Sequence, residues 1–283
     1  MSQTSSARRT LSYSFRYLVL ALVALVFVGP LLWMLTASVK GDSEILRYPP
    51  TILPTVFRWD NYSRVFQLQP FARQLLNSVL IMSAVCLGTL VVSAMAGYAF
   101  ARVRPRGSGI FFILILSAIF VPPEATIIPL YRLASSLGWI NTPYPLVVFT
   151  VFLTTAPIAT FVMRQAFLSL PREFEEAATL DGAGRWRTFL QVYLPMVRPS
   201  LAAVVVLSVW HSWGQFLEPL VYMRSTSEFT VPLALTQYND PFAGPLWGVQ
   251  MAATTLSILP VLIVFLLAQK HVVSGLTAGG LKG

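Results

Sequence analysis

Apolar residues run along this chain in long stretches, and polar residues fall mostly between them. Six runs, at 17–39, 76–100, 109–130, 144–163, 199–220 and 250–269, each reach the ~20 residues that carry a helix across a ~30 Å hydrocarbon layer. The pattern predicts an all-α, polytopic membrane protein with six transmembrane helices. Gly29-Pro30 predicts a kink in the first span. Pro122-Pro123 and Pro129 predict a break near the outer end of the third, where irregular backbone persists only against protein or a watery cavity. The second span ends SAMAGYAFA, in which Ser93, Gly97 and Ala101 lie four apart and allow another helix to approach closely. An outer segment at 40–75 carries Pro49-Pro50, Pro54 and a short amphipathic stretch at Asn61–Phe66. The longest inner segment is 164–198, and the fifth span ends SWGQFLEPL. The expected domains are an N-terminal tail at 1–16, a membrane domain at 17–272 containing the 164–198 loop, and a C-terminal tail at 273–283.

Composition supports this pattern. The chain is 55% hydrophobic and 11% charged, against about a quarter charged in soluble domains. The net charge of +9 would suit a polyanionic partner if it were spread evenly, but it is not. Six spans put both termini on one side, which then carries thirteen of the twenty basic residues and four of the eleven acids. The positive-inside rule makes that side cytoplasmic. Tyr17–Val39 exceeds the 7–15-residue core of a secretory signal and no A-x-A site follows it, so it reads as a retained helix. Cys86 is the only cysteine, which leaves no disulfide framework and no cysteine metal site.

Reactive constellations are missing from the sequence. There is no G-x-x-x-x-G-K-[ST], so ATP is not held by this chain through a P-loop. His211 and His271 sit in different spans with no metal-ligand spacing. A proton-coupled carrier needs carboxylates well inside the membrane. Glu124 and Glu218 are the only candidates, and each falls near the outer end of its span, an interfacial placement. For a solute path the candidates are Trp210, His211, Trp213 and Gln215, since aromatic faces and a few polar donors suit sugar rings and hydroxyls. An aromatic belt at the outer interface accounts for them at least as well, and Trp139, Trp247 and Tyr144 read as belt residues.

The inner segment is unusual. EFEEAATLDGAGRWRTFLQVYLP (173–195) holds four of the acids within nine residues, beside two alanines. Pro171 suits a first helical turn, and Glu173, Glu175 and Glu176 suit the positive end of the helix dipole. Phe174, Ala177 and Ala178 form one stripe, Gly182 and Gly184 end the helix, and a second short helix, Arg185 to Tyr193, stops before Pro195. Such a helix fits a groove on another protein; a solvated interfacial loop explains it equally well.

The spacing E-A-A-x3-G-x9-[I/V]-x-L-P, met by Glu176, Ala177, Ala178, Gly182, Val192, Leu194 and Pro195, resembles the signature of permease subunits of ATP-binding-cassette importers. The likeness covers nearly the whole chain and narrows to the carbohydrate type. Pro30, Trp33, Ser38 and Lys40 look like its P-x-x-W…S-x-K segment. WDNY (Trp59, Asn61, Tyr62) and LLNS (Asn77, Ser78) look like its outer-loop and second-span entries, and VPPEATIIPLYRL and LGWINT like its third-span exit. GLTAGGLKG looks like the tail of the maltose-type smaller subunit. At the end of the fifth span Gly214-Gln215-Phe216-Leu217-Glu218-Pro219 departs from the usual N-x-[FY], so substrate contacts are not carried over.

The resemblance implies a sugar or polyol permease in a bacterial cytoplasmic (inner) membrane, not an enzyme, binding no cofactor itself. ATP and Mg would be held by partner subunits. Those partners would be two ATPases, a second permease expected to be a different chain, and an extracytoplasmic solute-binding protein, with no nucleic acid. It also implies a cytoplasmic coupling helix, with ATPase-coupling residues Glu176, Ala177, Ala178, Asp181, Gly182, Ala183, Gly184, Leu194 and Pro195. Tail contacts would come from Gly275, Leu276, Thr277, Gly279, Lys282 and Gly283. The alternatives are a permease for a non-sugar solute such as a glycerol phosphodiester, or an ATPase-independent secondary carrier.

Overall fold

The computed structural model describes residues 3–242 and 244–280, with side chains described for 16–242, 244–267 and 269. Among these the regular structure is helical, apart from a small hairpin pairing β1 (Asn239–Asp240) antiparallel with β2 (Gly244–Pro245). The helices are α1 (Gln3–Ala37), α2 (Asp42–Ile45), α3 (Asp60–Leu68), α4 (Phe71–Tyr98), α5 (Ser108–Ser117), α6 (Pro123–Ser136), α7 (Tyr144–Phe149) and α8 (Ala156–Leu168). They continue with α9 (Glu173–Leu180), α10 (Arg185–Arg187), α11 (Leu194–Met196), α12 (Arg198–Trp213), α13 (Leu217–Tyr222), α14 (Val231–Leu235) and α15 (Trp247–Gly280). Wider π-helical turns extend α4 (Ala99–Val103), link α7 to α8 (Thr150–Thr155) and link α10 to α11 (Thr188–Tyr193).

Among the described residues, four helical stretches are long and apolar enough to cross a membrane: Arg16–Ala37, Phe71–Val103, Tyr144–Leu168 and Trp247–Leu267. Two bent pairs raise the number to six if each counts as one span. In the first, Ser108–Phe120 meets Pro123–Ser136 at 102°. The break falls at Pro122-Pro123 as expected, but the second limb runs on to Ser136, past the expected end at 130, because Pro123 opens a new helix at a position that needs no N–H. In the second, Arg185–Met196 meets Arg198–Trp213 at 79°. Here the expected stop before Pro195 is wrong. The helix passes through Pro195 and breaks at Val197, and Pro199 opens α12. The missing N–H groups of Pro157 and Pro195 would free the carbonyls of Leu153 and Gln191. Both lie inside π turns, whose altered pairing accommodates a proline that an α-helix would not. The expected span 199–220 is also shortened: α12 ends at Trp213, and Pro219 belongs to the separate helix α13.

The chain forms two compact units. One comprises residues 1–69 and 235–256. Its centre is polar: Ser38 and Lys40 are fully buried, and Asn61 nearly so. Asn61 Nδ2 donates to the carbonyls of Ser38 (3.0 Å) and Lys40 (2.9 Å), and Ser38 Oγ shares a 2.8 Å hydrogen bond with Tyr62 Oη. Lys40 Nζ donates to the Thr51 carbonyl and lies 4.6 Å from the Trp33 ring centroid. The P-x-x-W…S-x-K and WDNY segments, separate in sequence, thus meet around one amide. A β-carbon on Gly248 would stand 2.5 Å from the Lys40 carbonyl oxygen, so glycine lets α15 seat against them.

The other unit comprises residues 70–234 and 257–283. There α4 packs along α8 and α12. Ser93 and Ala101 are buried, and a β-carbon on Gly97 would stand 2.7 Å from Met163 Cβ, the close approach that the four-residue spacing predicts. One apolar cluster gathers Tyr98, Met163, Phe167, Phe189, Tyr193 and Val204. A second gathers Ile81, Val85, Leu146, Val151, Tyr222 and Leu233. Trp139 packs against this second cluster, 5.9 Å from Tyr144 and 6.1 Å from Phe149 between ring centroids. The LLNS segment has a structural task in the same unit: Asn77 Nδ2 donates to the Ser227 carbonyl at 2.8 Å, and Ser78 Oγ accepts from Val231 N–H at 2.7 Å.

Candidate functional site

The first turn of α9 lacks a side-chain cap, and three glutamates occupy it, where negative charge offsets the exposed N–H groups. Its far end closes on Gly182, whose φ of +74° is a left-handed conformation that a β-carbon disfavours. Gly182 N–H donates to the Thr179 carbonyl at 3.0 Å and Ala183 N–H to the Ala178 carbonyl at 2.9 Å, satisfying carbonyls the helix leaves open. Gly184 does not end α9; it is extended and precedes α10.

The expected stripe of Phe174, Ala177 and Ala178 is split. Ala178 is buried against the Thr188–Tyr193 turn, and Glu175 beside it accepts a 3.2 Å hydrogen bond from Tyr193 Oη. Phe174 and Ala177 face outward, and Leu180 is 89% exposed. Trp186 stands exposed on the next element. Of the coupling set, Glu176, Ala177, Asp181, Gly182 and Gly184 reach the surface; Ala183, Leu194 and Pro195 are half-buried, and Ala178 is buried. The helix therefore offers water an apolar face flanked by carboxylates.

Behind it the support is buried and closely packed. Tyr193 is fully buried, with ring centroids of Tyr98 and Phe167 at 5.6 and 6.2 Å. Arg102, on the π turn after α4, donates to the carbonyl of Phe167 (2.6 and 3.1 Å) and to that of Leu170 (2.5 Å). Its guanidinium carbon lies 4.8 Å from the Tyr193 ring centroid. One cation thus ties the end of α8, the turn beneath α9 and the end of α4 together. In the sequence Arg102 is only one of the thirteen basic residues expected on the inner side, since a side chain whose partners are main-chain carbonyls leaves no pattern.

The solute-path candidates are dispersed. Trp210 and His211 are exposed, Trp213 is half-buried, and Gln215 alone is drawn fully inward. Gln215 Nε2 donates to Thr150 Oγ1 and, at 3.4 Å, to the Leu146 carbonyl. Thr150 opens the π turn whose last residue, Thr155, shares a 2.6 Å hydrogen bond with Thr89. These buried threonines were not singled out in the sequence, because single threonines in an apolar run read as helix packing. The tail positions Gly275, Leu276, Thr277 and Gly279 fall within α15, outside the described side chains, and Lys282 and Gly283 lie outside the described residues.

Comparison with known proteins fits this geometry. Residues 3–278 match the family described as "Binding-protein-dependent transport system inner membrane component". The arabinooligosaccharides transport system permease protein AraQ of Halalkalibacterium halodurans is 35% identical over 93% of this chain and 94% of its own length. The trehalose/maltose transport system permease protein MalG of Thermococcus litoralis is 32% identical over 93% of this chain and 94% of its own. In structure the chain resembles, with a TM-score of 0.77 and 22% identity, a chain of a bacterial ABC transporter involved in the import of the acidic polysaccharide alginate, over 95% of this chain and 98% of that one. The chain is therefore a transport subunit rather than an enzyme, and belongs to the family of binding-protein-dependent inner-membrane components, the multi-pass permeases of ATP-binding-cassette importers.

Proposed function

We propose that the chain is one of two permease subunits of an importer for a sugar or related polyol, with α9 and the residues around it as the lever on which the motor acts. What supports this reading is the exposed face of Phe174, Ala177 and Leu180, closed by Gly182 and backed by the Arg102–Tyr193 support. A face that rests on so firm a base transmits force instead of folding under it. The partners would be a second, different permease, two ATPases that hold ATP and Mg, and an extracytoplasmic binding protein. Both termini, the tails 1–16 and 273–283 and the 164–198 loop would be cytoplasmic, in keeping with the excess of basic residues there. The tail positions Gly275, Thr277, Gly279 and Lys282 would meet the ATPase pair. Closure of the pair on ATP would carry the lever with it, and the spans would move from inward-open to outward-open, differential contacts in the two states driving the change. Trp210, His211, Trp213 and Gln215 would belong to the solute path.

The sugar assignment draws on the names of the relatives, arabinooligosaccharide and trehalose/maltose permeases among them. A non-sugar solute such as a glycerol phosphodiester is the remaining alternative. Uptake by the reconstituted importer tests both: ATP-dependent import of a neutral saccharide is expected, and import of glycerol phosphodiesters alone would contradict the sugar reading. In the same system Glu176→Ala should lower transport and solute-stimulated ATP hydrolysis while the chain still inserts. Normal stimulation would count against the lever.

A further inference from the structure

In the first unit the segment that follows α1 is tied back to the end of that span. Arg58 N–H donates to the carbonyl of Val39, two residues past Ala37, at 2.8 Å, which sets the neighbours of Arg58 at the level where the helix stops. Those neighbours are aromatic. The Phe57 and Trp59 rings stack with centroids 5.9 Å apart and planes 9° apart, and Trp59 stacks on Tyr62 at 6.5 Å. Tyr62 is held in turn by Ser38 Oγ, and Trp33, one turn before the end of α1, faces the Lys40 ammonium. Four rings thus gather where α1 ends. Phe57 and Trp59 are each more than half exposed, and a stacked pair left open to water gains little for the order imposed on it. The backbone that carries the pair is fixed all the same. Glu44 accepts from Thr55 N–H at 2.8 Å and from the Thr51 hydroxyl at 3.0 Å, and Lys40 Nζ donates to the Thr51 carbonyl. The charges around it are unevenly placed. Asp42 and Glu44 turn onto the N–H groups of Gly248 and Thr55, whereas Arg47 and Arg58 are exposed, with Asp60 the exposed carboxylate.

We infer that the Phe57–Trp59 pair is an anchor in the lipid headgroup layer. The two rings rest among the glycerol and carbonyl groups of the leaflet at which α1 ends, and Arg47 and Arg58 meet its phosphates. Tryptophan suits that layer because its ring is apolar and its N–H needs a wet partner. Arginine suits it because the long stem lies along apolar surface while the guanidinium reaches the phosphates. The occupant is lipid because the pair continues a helix long and apolar enough to span a bilayer, held at that helix's own end. Residues of this kind set how deep and how tilted a span lies. The anchor therefore fixes the depth at which α1 stops, and with it the polar knot around Asn61.

The test uses the full chain in nanodiscs of phosphatidylethanolamine and phosphatidylglycerol, alone and in the whole importer with its binding protein. Phe57→Cys and Trp59→Cys, each with Cys86→Ser, carry an environment-sensitive fluorophore, and Leu180→Cys in the isolated chain is the reference in water. Both labels should emit to the blue of that reference. Lipids with a nitroxide near the glycerol should quench them more than lipids with one at the chain end, and the isolated chain should behave as the importer does. Emission matching the reference would overturn the anchor. So would a blue shift seen only with the second permease or the binding protein present, which would make the pair a protein interface. The wild-type chain gives a reading that no substitution disturbs: a phospholipid with a photoactivatable group near its glycerol should leave adducts on residues 56–60. Adducts on the spans alone would contradict the anchor.

Discussion

Gly182 and Gly97 are required for opposite reasons, and their substitutions should fail differently. Gly182 has nothing within 4 Å of where a β-carbon would go, but its φ is +74°. Gly182→Ala therefore costs only backbone strain, about 1–2 kcal/mol, paid at the end of α9. The chain should still insert and melt near the wild-type temperature, while solute-stimulated ATP hydrolysis and transport fall. Gly97 has an ordinary helical backbone, but its β-carbon would meet Met163 Cβ at 2.7 Å and Arg164 N at 2.9 Å. Gly97→Ala must push α4 from α8, a loss of roughly 1–3 kcal/mol, read as earlier thermal unfolding in detergent. The sequence exposed both glycines, one by its place after an acidic helix and one by the Ser93–Gly97–Ala101 spacing. Arg102 was not legible, because its partners are main-chain carbonyls, which leave no periodic trace.

Among the elements, the long spans were the most legible, since twenty apolar residues in a row leave few alternatives. Their interruptions were read less well. Pro122-Pro123 correctly marked a break, but Pro195 did not, because a π turn absorbed the missing N–H and moved the break to Val197. Single-sequence periodicity does not register a turn of that width. The stripe on α9 was misread for a related reason: spacing put Phe174, Ala177 and Ala178 together, and the Tyr193–Glu175 hydrogen bond then chose which of them to bury. Arg102→Met removes the donors to Phe167 and Leu170 and should loosen this base, lowering transport more than it lowers unmodified ATP hydrolysis by the partners. Equal loss of both, or of neither, would argue against a supporting role.

The segment between α1 and α4 offers a pH test at the same scale. Thr55 N–H and, after an opposing contribution from burial, the Thr51 hydroxyl hold the Glu44 carboxyl below its ordinary value. A lowered carboxyl stabilises at pH values above its unfolded pKa, and that stabilisation is lost as pH falls through the folded one. Proteolytic nicking between residues 46 and 58 should thus rise as the pH falls below the ordinary glutamate range and become independent of pH in Glu44→Gln.

At the scale of the whole molecule, the account divides labour between what this chain contains and what it must borrow. It supplies apolar spans and an exposed, well-supported α9, and its family places it in binding-protein-dependent transport. The energy would come from ATPases that grip α9. The most direct measurement is the reactivity of a cysteine in place of Leu180, 89% exposed in this chain, toward a water-soluble maleimide, with Cys86→Ser as background. The account predicts rapid labelling of the isolated chain, strong protection once the ATPases are bound, and cross-linking to an ATPase subunit with a short bifunctional reagent. Equal labelling with and without the ATPases, and no cross-link in an assembly that transports, would contradict it.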